Sequence, residues 1–272
     1  MKAISIIPAR MAASRFPGKP LKKMLGMPLV EHCYHRTKLA EGLIDVYVAT
    51  CDQEIYDYVE SIGGKSIMTS DKHDRASTRT AEALNIIEKQ TNVQYDIVVM
   101  MQGDEPLVNP ETISESIRHF KDESIHIVNI MSKIESEDVF KDVNNVKVVT
   151  DIKKNAMYFS REPIPSGWKG LEGLPKYMQT GIISFRRDAL LKFNTLNETV
   201  LERVESVDLN RVIENGDSIR MVALDGFTIG VDTEEELKQA EQYLMNDPIT
   251  NYYINKEWKR KILDLKIFIK NM

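Results

Sequence analysis

An α/β fold on a mostly parallel sheet, with helices on both faces, is what this sequence of 272 residues predicts. Three observations carry it. Short apolar runs such as AISIIP (3–8) and YDIVVMM (95–101) are too short for helices and lack polar alternation, as strands buried on both faces do. Amphipathic stretches separate these runs, and strand–helix alternation favours parallel pairing. Turn signals punctuate the boundaries.

In chain order, Ala3 to Pro8 reads as a buried strand and Pro28 to Ala40 as a helix. Ile44 to Thr50 is a second strand, followed by a helix over Asp52 to Ile62 and a short strand at Lys65 to Met68. Ala76 to Gln90 is helical in pattern, and Tyr95 to Met101 is another buried strand. The rhythm changes after Asp104. Ile125 to Ser132 and Val146 to Thr150 read as strands, and a Pro/Gly-rich loop runs from Glu162 to Pro175. Gly181 to Phe185 returns as a strand ahead of a helix from Arg187. Leu201 to Asn215 reads as one helix stopped by Gly216, Ser218 to Ala223 as a late strand, and Glu234 to Met245 as an amphipathic helix.

No internal repeat or interdomain linker interrupts this pattern, so residues 1–245 are expected to form one domain. Residues 246–272 differ in character: they open on Pro248 and contain KEWKRKILDLKIFIK. That tail reads either as a helix packed on its own domain or a second subunit, or as a membrane-surface helix.

Composition narrows the function classes. The chain is 42% hydrophobic and 28% charged, as soluble globular proteins are. A formal net charge of -5 argues against a general nucleic-acid binder. Cys33 and Cys51 are the only cysteines and form no metal-binding spacing. MKAISIIPAR has too short an apolar run before Arg10 for a secretory signal, and nothing approaches a membrane span. The expectation is a cytoplasmic protein without stable membrane insertion.

Three segments carry candidate chemistry. The loop after the first strand, PARMAASRFPGKPL, places Arg10, Arg15 and Lys19 beside the small residues Ala12, Ala13 and Ser14. Loops leaving the carboxyl ends of parallel strands hold ligands in open α/β sheets. Such cations and closely approaching N–H groups suit a triphosphate, although a solvated basic loop has the same composition. VVMMQGDEP ends a buried strand on Gln102 and Asp104 at that same edge, where Asp104 either caps a turn or holds Mg2+. IGVDTEE puts Asp232 and Thr233 ahead of a helix, as a cap or as a second carboxylate for one Mg2+. His32, His35 and His73 form no nucleophile–base arrangement and read as structural.

On these residues the chain resembles the 3-deoxy-manno-octulosonate (KDO) cytidylyltransferase family. IIPARMAASRFPGKPL, VMMQGDEPL, NNVKVVTD, YFSREPIP and GVDTEEELKQAE match family segments in the family's order, to about Leu244. The resemblance implies a Rossmann-like nucleotidyltransferase fold with a smaller dimerisation region at roughly residues 155–200, and a homodimer. It implies CTP, Mg2+ and a small acidic sugar as ligands. Arg10, Ser14, Arg15 and Lys19 are expected on the triphosphate, with Arg75, Ser77, Arg79 and Gln102 completing the nucleotide pocket. Lys19, Arg10 and Asp104 are the expected catalytic residues, and Asp104 and Asp232 the expected metal ligands. Arg161, Gln179, Ile183, Glu205 and Asp208 are the expected acceptor contacts.

Departures accompany the matches. Where the family carries His-x-Ser-Gly-Thr-Asp/Glu-Arg, this chain has His73-Asp-Arg-Ala-Ser-Thr-Arg79. A family His-x-Gly-Ile-Tyr segment is Gln179-Thr-Gly-Ile-Ile183, and the Gln of Glu-x-Leu-Glu-Gln-Leu-Arg is Leu209. Exchanging polar partners changes the specificity of a site that reads hydroxyls. The acceptor is therefore expected to be KDO-like, with a modified or amino-substituted 2-keto sugar acid, a phosphonate or an alditol phosphate as alternatives. A non-catalytic nucleotide-binding protein is the reading from a different class, disfavoured by retention of Lys19, Asp104 and Asp232.

Overall fold

The computed structural model describes residues 1–12, 15–170, 173–223 and 229–255. The first half alternates as expected. Strand β1 (Ala3–Pro8) leads through a loop and a 3-10 turn at Lys19–Leu21 into a small hairpin, β2 (Lys23–Met24) and β3 (Met27–Pro28). Helix α1 (Leu29–Lys38), β4 (Leu43–Thr50), α2 (Gln53–Ser61), β5 (Ser66–Met68), α3 (Ala76–Thr91) and β6 (Ile97–Met101) follow. The second half contains α4 (Pro110–Arg118), β7 (Ile127–Lys133), α5 (Glu137–Lys141), β8 (Lys147–Thr150), β9 (Ala156–Ser160) and β10 (Tyr177–Arg186). It closes with α6 (Arg187–Phe193), α7 (Val200–Glu205), α8 (Asn210–Glu214), β11 (Arg220–Ala223) and α9 (Glu234–Met245).

One sheet organises the molecule, in the order β11-β7-β10-β6-β1-β4-β5, with β8 joined to β10 and β9 joined to β8. β1 pairs in parallel with both β4 and β6, β5 continues in parallel from β4, and β11 is parallel to β7. β10 runs antiparallel to β6 and β7. Alternate side chains of the central strands feed two apolar layers. Ile4, Ile6, Val98 and Met100 meet Ala81 and Leu84 of α3. Ala3, Ile7, Val99 and Met101 meet Val30 and Tyr34 of α1, Ile55 of α2 and Ile113 of α4. The sheet is thus covered on both faces, which explains why its central strands are continuous apolar runs.

The second half is where the sequence expectation needs correction. The helix expected over Leu201 to Asn215 is broken into α7 and α8 at Ser206, a left-handed residue with φ 53°. The break places Glu205 against β9 and Arg161 instead of continuing the helical turn. β9 and α4 were not expected. α4 begins on a readable cap, however: Asn109 accepts the Glu111 N–H at 3.0 Å, with Pro110 next in the chain. β10 extends well beyond the expected Gly181 to Phe185, because β7 and β8 pair with its first residues.

After α9 the chain folds back over α1. Arg36 Nη1 donates to Asp247 at 2.6 Å and to Thr250 at 3.1 Å, and His32 meets the Tyr253 hydroxyl at 2.5 Å. The start of the expected tail is therefore a docked part of the domain. The rest of it, residues 256–272, lies outside the described residues. No helix among the described residues is long and apolar enough to cross a membrane.

Candidate active site

At the carboxyl edge of the parallel strands the chain ends of β1 and β6 approach closely. A Cβ on Gly103 would sit 2.9 Å from the Pro8 carbonyl oxygen, so glycine permits Gln102 and Asp104 to leave β6 directly beside the β1 loop. That loop is tied at both ends. The Met11 N–H donates to Asp52 at 2.8 Å, and the Gly18 N–H, at φ 73°, donates to the Met11 carbonyl at 2.9 Å. The tie brings Lys19 back over the sheet edge.

Lys19 is the centre of the site. Its Nζ donates to Asp104 Oδ2 at 2.7 Å, Asp232 Oδ1 at 2.9 Å and the Val231 carbonyl at 3.0 Å. Burial opposes its charge, but the Asp104 carboxylate, assisted by Asp232, outweighs that and holds its pKa above the ordinary lysine value. The Asp232 segment is fastened from behind, since the Val231 N–H donates to the Asp104 carbonyl at 2.8 Å. Thr233, not Asp232, is the N-cap of α9. The Asp232 carboxylate is left to Lys19 and to Arg15 Nη2, 2.6 Å away.

These groups line a cavity of about 500 Å3 that also holds Ala9, Arg10, His73, Arg75, Arg79, Gln102, Asn144, Arg161, Gln179, Ile183, Ser206 and Asp208. Around its rim the contacts run in series. Arg15 Nη1 donates to Asn144 at 3.2 Å; neighbouring Val143 accepts from Arg161 Nη1 at 2.9 Å; Arg161 Nε donates to the Glu205 carbonyl at 2.6 Å. Arg10 reaches the His73 carbonyl at 3.4 Å on the α3 side.

Most expected site residues meet in this cavity, but two do not line it. Glu205 lies behind Arg161: its carboxylate accepts from the Tyr158 hydroxyl at 2.8 Å, the Ser160 hydroxyl at 2.9 Å and the Arg161 N–H at 2.8 Å. Ser77 is buried beneath the wall and donates to Asp208 at 2.9 Å. Burial pushes the Asp208 pKa up, against the Ser77 hydrogen bond and the Arg75 charge. Arg79 is buried, with Nη1 on Thr69 and Ser70. Its Nη2, like Gln179 Oε1, has no partner among the described residues. Leu209 belongs to the apolar core. Ser14 falls outside the described residues.

Sequence reasoning missed Asn144 and Lys147. Lys147 is completely buried, and its Nζ donates to the carbonyls of Asp142 at 3.0 Å, Asn145 at 2.6 Å and Arg161. It ties the loop carrying Asn144 to the strand end carrying Arg161. Both residues sit in NNVKVVTD, so the segment was visible although the roles were not.

A family model described as Cytidylyltransferase matches residues 4–219. A 3-deoxy-manno-octulosonate cytidylyltransferase of Thermodesulfovibrio yellowstonii is 40% identical over 251 residues, covering 90% of this chain and 98% of the relative. One from Fusobacterium nucleatum is 38% identical over 250 residues, covering 92% and 99%. The chain belongs to the 3-deoxy-manno-octulosonate cytidylyltransferase family. A solved CMP:2-keto-3-deoxy-manno-octonic acid synthetase complexed with CTP shares this fold with a TM-score of 0.81 and 32% identity, over 90% of this chain and 99% of that one. A putative glucose-1-phosphate thymidylyltransferase from Bacillus anthracis, 15% identical with a TM-score of 0.66, shares the fold alone. This cytidylyltransferase therefore has a nucleotidyltransferase fold, and its cationic cavity stands at that fold's ligand-binding edge.

Proposed function

We propose that the chain transfers the cytidylyl group of CTP to the anomeric hydroxyl of a KDO-like 2-keto sugar acid, releasing pyrophosphate. The observation that carries the reading is the meeting of Lys19, Asp104 and Asp232, from three distant segments, at one end of a cavity rich in arginine. Family membership and likeness to a CTP-bound synthetase support the donor and the acceptor class.

The acceptor hydroxyl oxygen attacks the α-phosphorus, losing its proton to water, as the bond to the β-phosphate oxygen breaks and pyrophosphate leaves with the electron pair. No covalent enzyme intermediate is needed. Arg10, Arg15 and Lys19 bind the phosphates and offset the charge gathering on the leaving group. Gln102 and Arg79 serve the base side of the pocket, while Arg161, Gln179, Ile183 and Asp208 meet the acceptor.

Mg2+ fits the donor set. Asp104 and Asp232 converge on one cation, Lys19 Nζ, and Mg2+ is commonly held by one or two carboxylates together with phosphate oxygens. Those two residues would hold the ion, which when bound neutralises phosphate charge. A homodimer is supported by large apolar side chains left exposed, among them Met157, Trp168, Val200 and Val204. A cytoplasmic location agrees with use of CTP.

A second reading, an acceptor other than KDO, is favoured by Gln179 and Ile183, which line the cavity where the family carries a histidine and a tyrosine. The test of both is pyrophosphate release with CTP and Mg2+ across KDO, terminally modified 2-keto sugar acids and phosphonates. An Asp104→Ala control runs in parallel. Release abolished by that substitution supports transfer and names the acceptor; no release with any acceptor refutes it.

A further inference from the structure

Arg75 stands where the family resemblance supplies a serine, in a segment expected to serve the nucleotide. Its contacts lie elsewhere. Nη1 donates to the Ser206 hydroxyl at 3.5 Å, and Nη2 is 3.9 Å from Glu198. Both partners flank α7, and the Arg75 charge acts on Asp208. These contacts are long, and the side chain is one-third exposed, so the guanidinium keeps donors for a ligand in the cavity it lines. The groups on the phosphate side are instead drawn together around Asp104 and Asp232.

The rim contacts order the site. From Asp232 they pass through Arg15, Asn144, Arg161 and Glu205 before reaching Ser206 and Arg75. A 2-keto sugar acid bears its carboxylate and its reacting hydroxyl on the same anomeric centre. Both groups must therefore lie near the α-phosphate, among Lys19, Arg15 and Arg161. An acceptor held there would turn its polyhydroxyl arm toward the Ser206 wall. We propose that Arg75 is a specificity-determining residue for the acceptor, donating to the arm remote from the anomeric carbon. Gln179, whose buried amide oxygen has no partner among the described residues, lines the same cavity. This inference rests on the 2-keto sugar acid reading.

The test compares wild type, Arg75→Ser and Arg75→Lys by steady-state kinetics. It uses the best acceptor and a shortened 2-keto acid that keeps the anomeric centre but lacks the arm. Arg75→Ser is expected to raise the KM of the full acceptor about tenfold or more, and that of the shortened one less than about twofold. CTP KM should stay within about twofold, and Arg75→Lys should recover part of the loss. Equal losses with both acceptors, or a raised CTP KM with acceptor KM unchanged, would overturn the assignment. A wild type that releases no pyrophosphate with any acceptor overturns the cytidylyl-transfer reading, and Arg75's role with it. Normal turnover by wild type with no effect of either variant refutes Arg75 alone.

Discussion

Glu205 holds Arg161 twice: its carboxylate accepts the Arg161 backbone N–H at 2.8 Å, and its carbonyl accepts Arg161 Nε at 2.6 Å. The guanidinium is therefore positioned by a residue that does not line the cavity. Glu205→Ala should lower stability by about 1–3 kcal/mol, because the Arg161 N–H and two hydroxyls lose a charged acceptor. It should also raise acceptor KM more than CTP KM. Urea unfolding and steady-state kinetics check the two halves separately.

Lys19 joins Asp104 and Asp232, and its removal leaves two carboxylates facing each other without the cation between them. Lys19→Ala is expected to lower kcat by about 10²–10³-fold, the scale seen when one charge-stabilising donor is lost. Pyrophosphate release at saturating CTP and acceptor measures it. A loss confined to CTP KM would contradict a role in offsetting leaving-group charge.

Lys147 is held by three carbonyls and by no carboxylate among the described residues. Burial lowers its pKa below the ordinary lysine value, so the folded state disfavours its charge relative to water. Lys147→Met keeps the bulk but orphans the three carbonyls, and should cost at least about 2 kcal/mol. Chemical denaturation tests this. The same variant, where folded, should raise acceptor KM through displacement of Arg161.

His32 is buried, with its two ring nitrogens on Tyr253 and the Met24 carbonyl. Burial lowers its pKa below 6.5, although Met24 and Glu31 oppose the shift. Its contribution to stability is thus present above the unfolded value and is lost as pH falls through the folded one, since the unfolded chain takes the proton first. As pH falls below 6.5, the Tm of wild type should fall more steeply than that of His32→Gln. Parallel slopes in thermal melts would rule out His32 as the titrating group.

The exposed apolar side chains offer a fifth test. Val204 is 74% exposed on α7, and Trp168 is 89% exposed in the loop before β10. Wild type is expected to sediment as a dimer, and Val204→Glu should shift it toward the 31.2 kDa monomer.

The sequence by itself determined the parallel half of the fold and the members of the cluster of Lys19, Asp104 and Asp232. Apolar runs at Ala3–Pro8 and Ile97–Met101 have few alternatives to buried strands, and the small and cationic residues after them declare the ligand edge. Tertiary structure alone decided the cavity wall around Arg161 and Ser206. Ser206 adopts its left-handed conformation because Glu205 is recruited by Tyr158, Ser160 and Arg161, residues more than forty positions away. The helical pattern through Leu201 to Asn215 carries no trace of that pull, since local periodicity records which face is apolar and not which distant donors a carboxylate meets. Arg75 and Asp232 show the same division. Their side-chain types were legible, but whether each faces phosphate, acceptor or its own helix depends on long-range contacts that only the folded chain brings together.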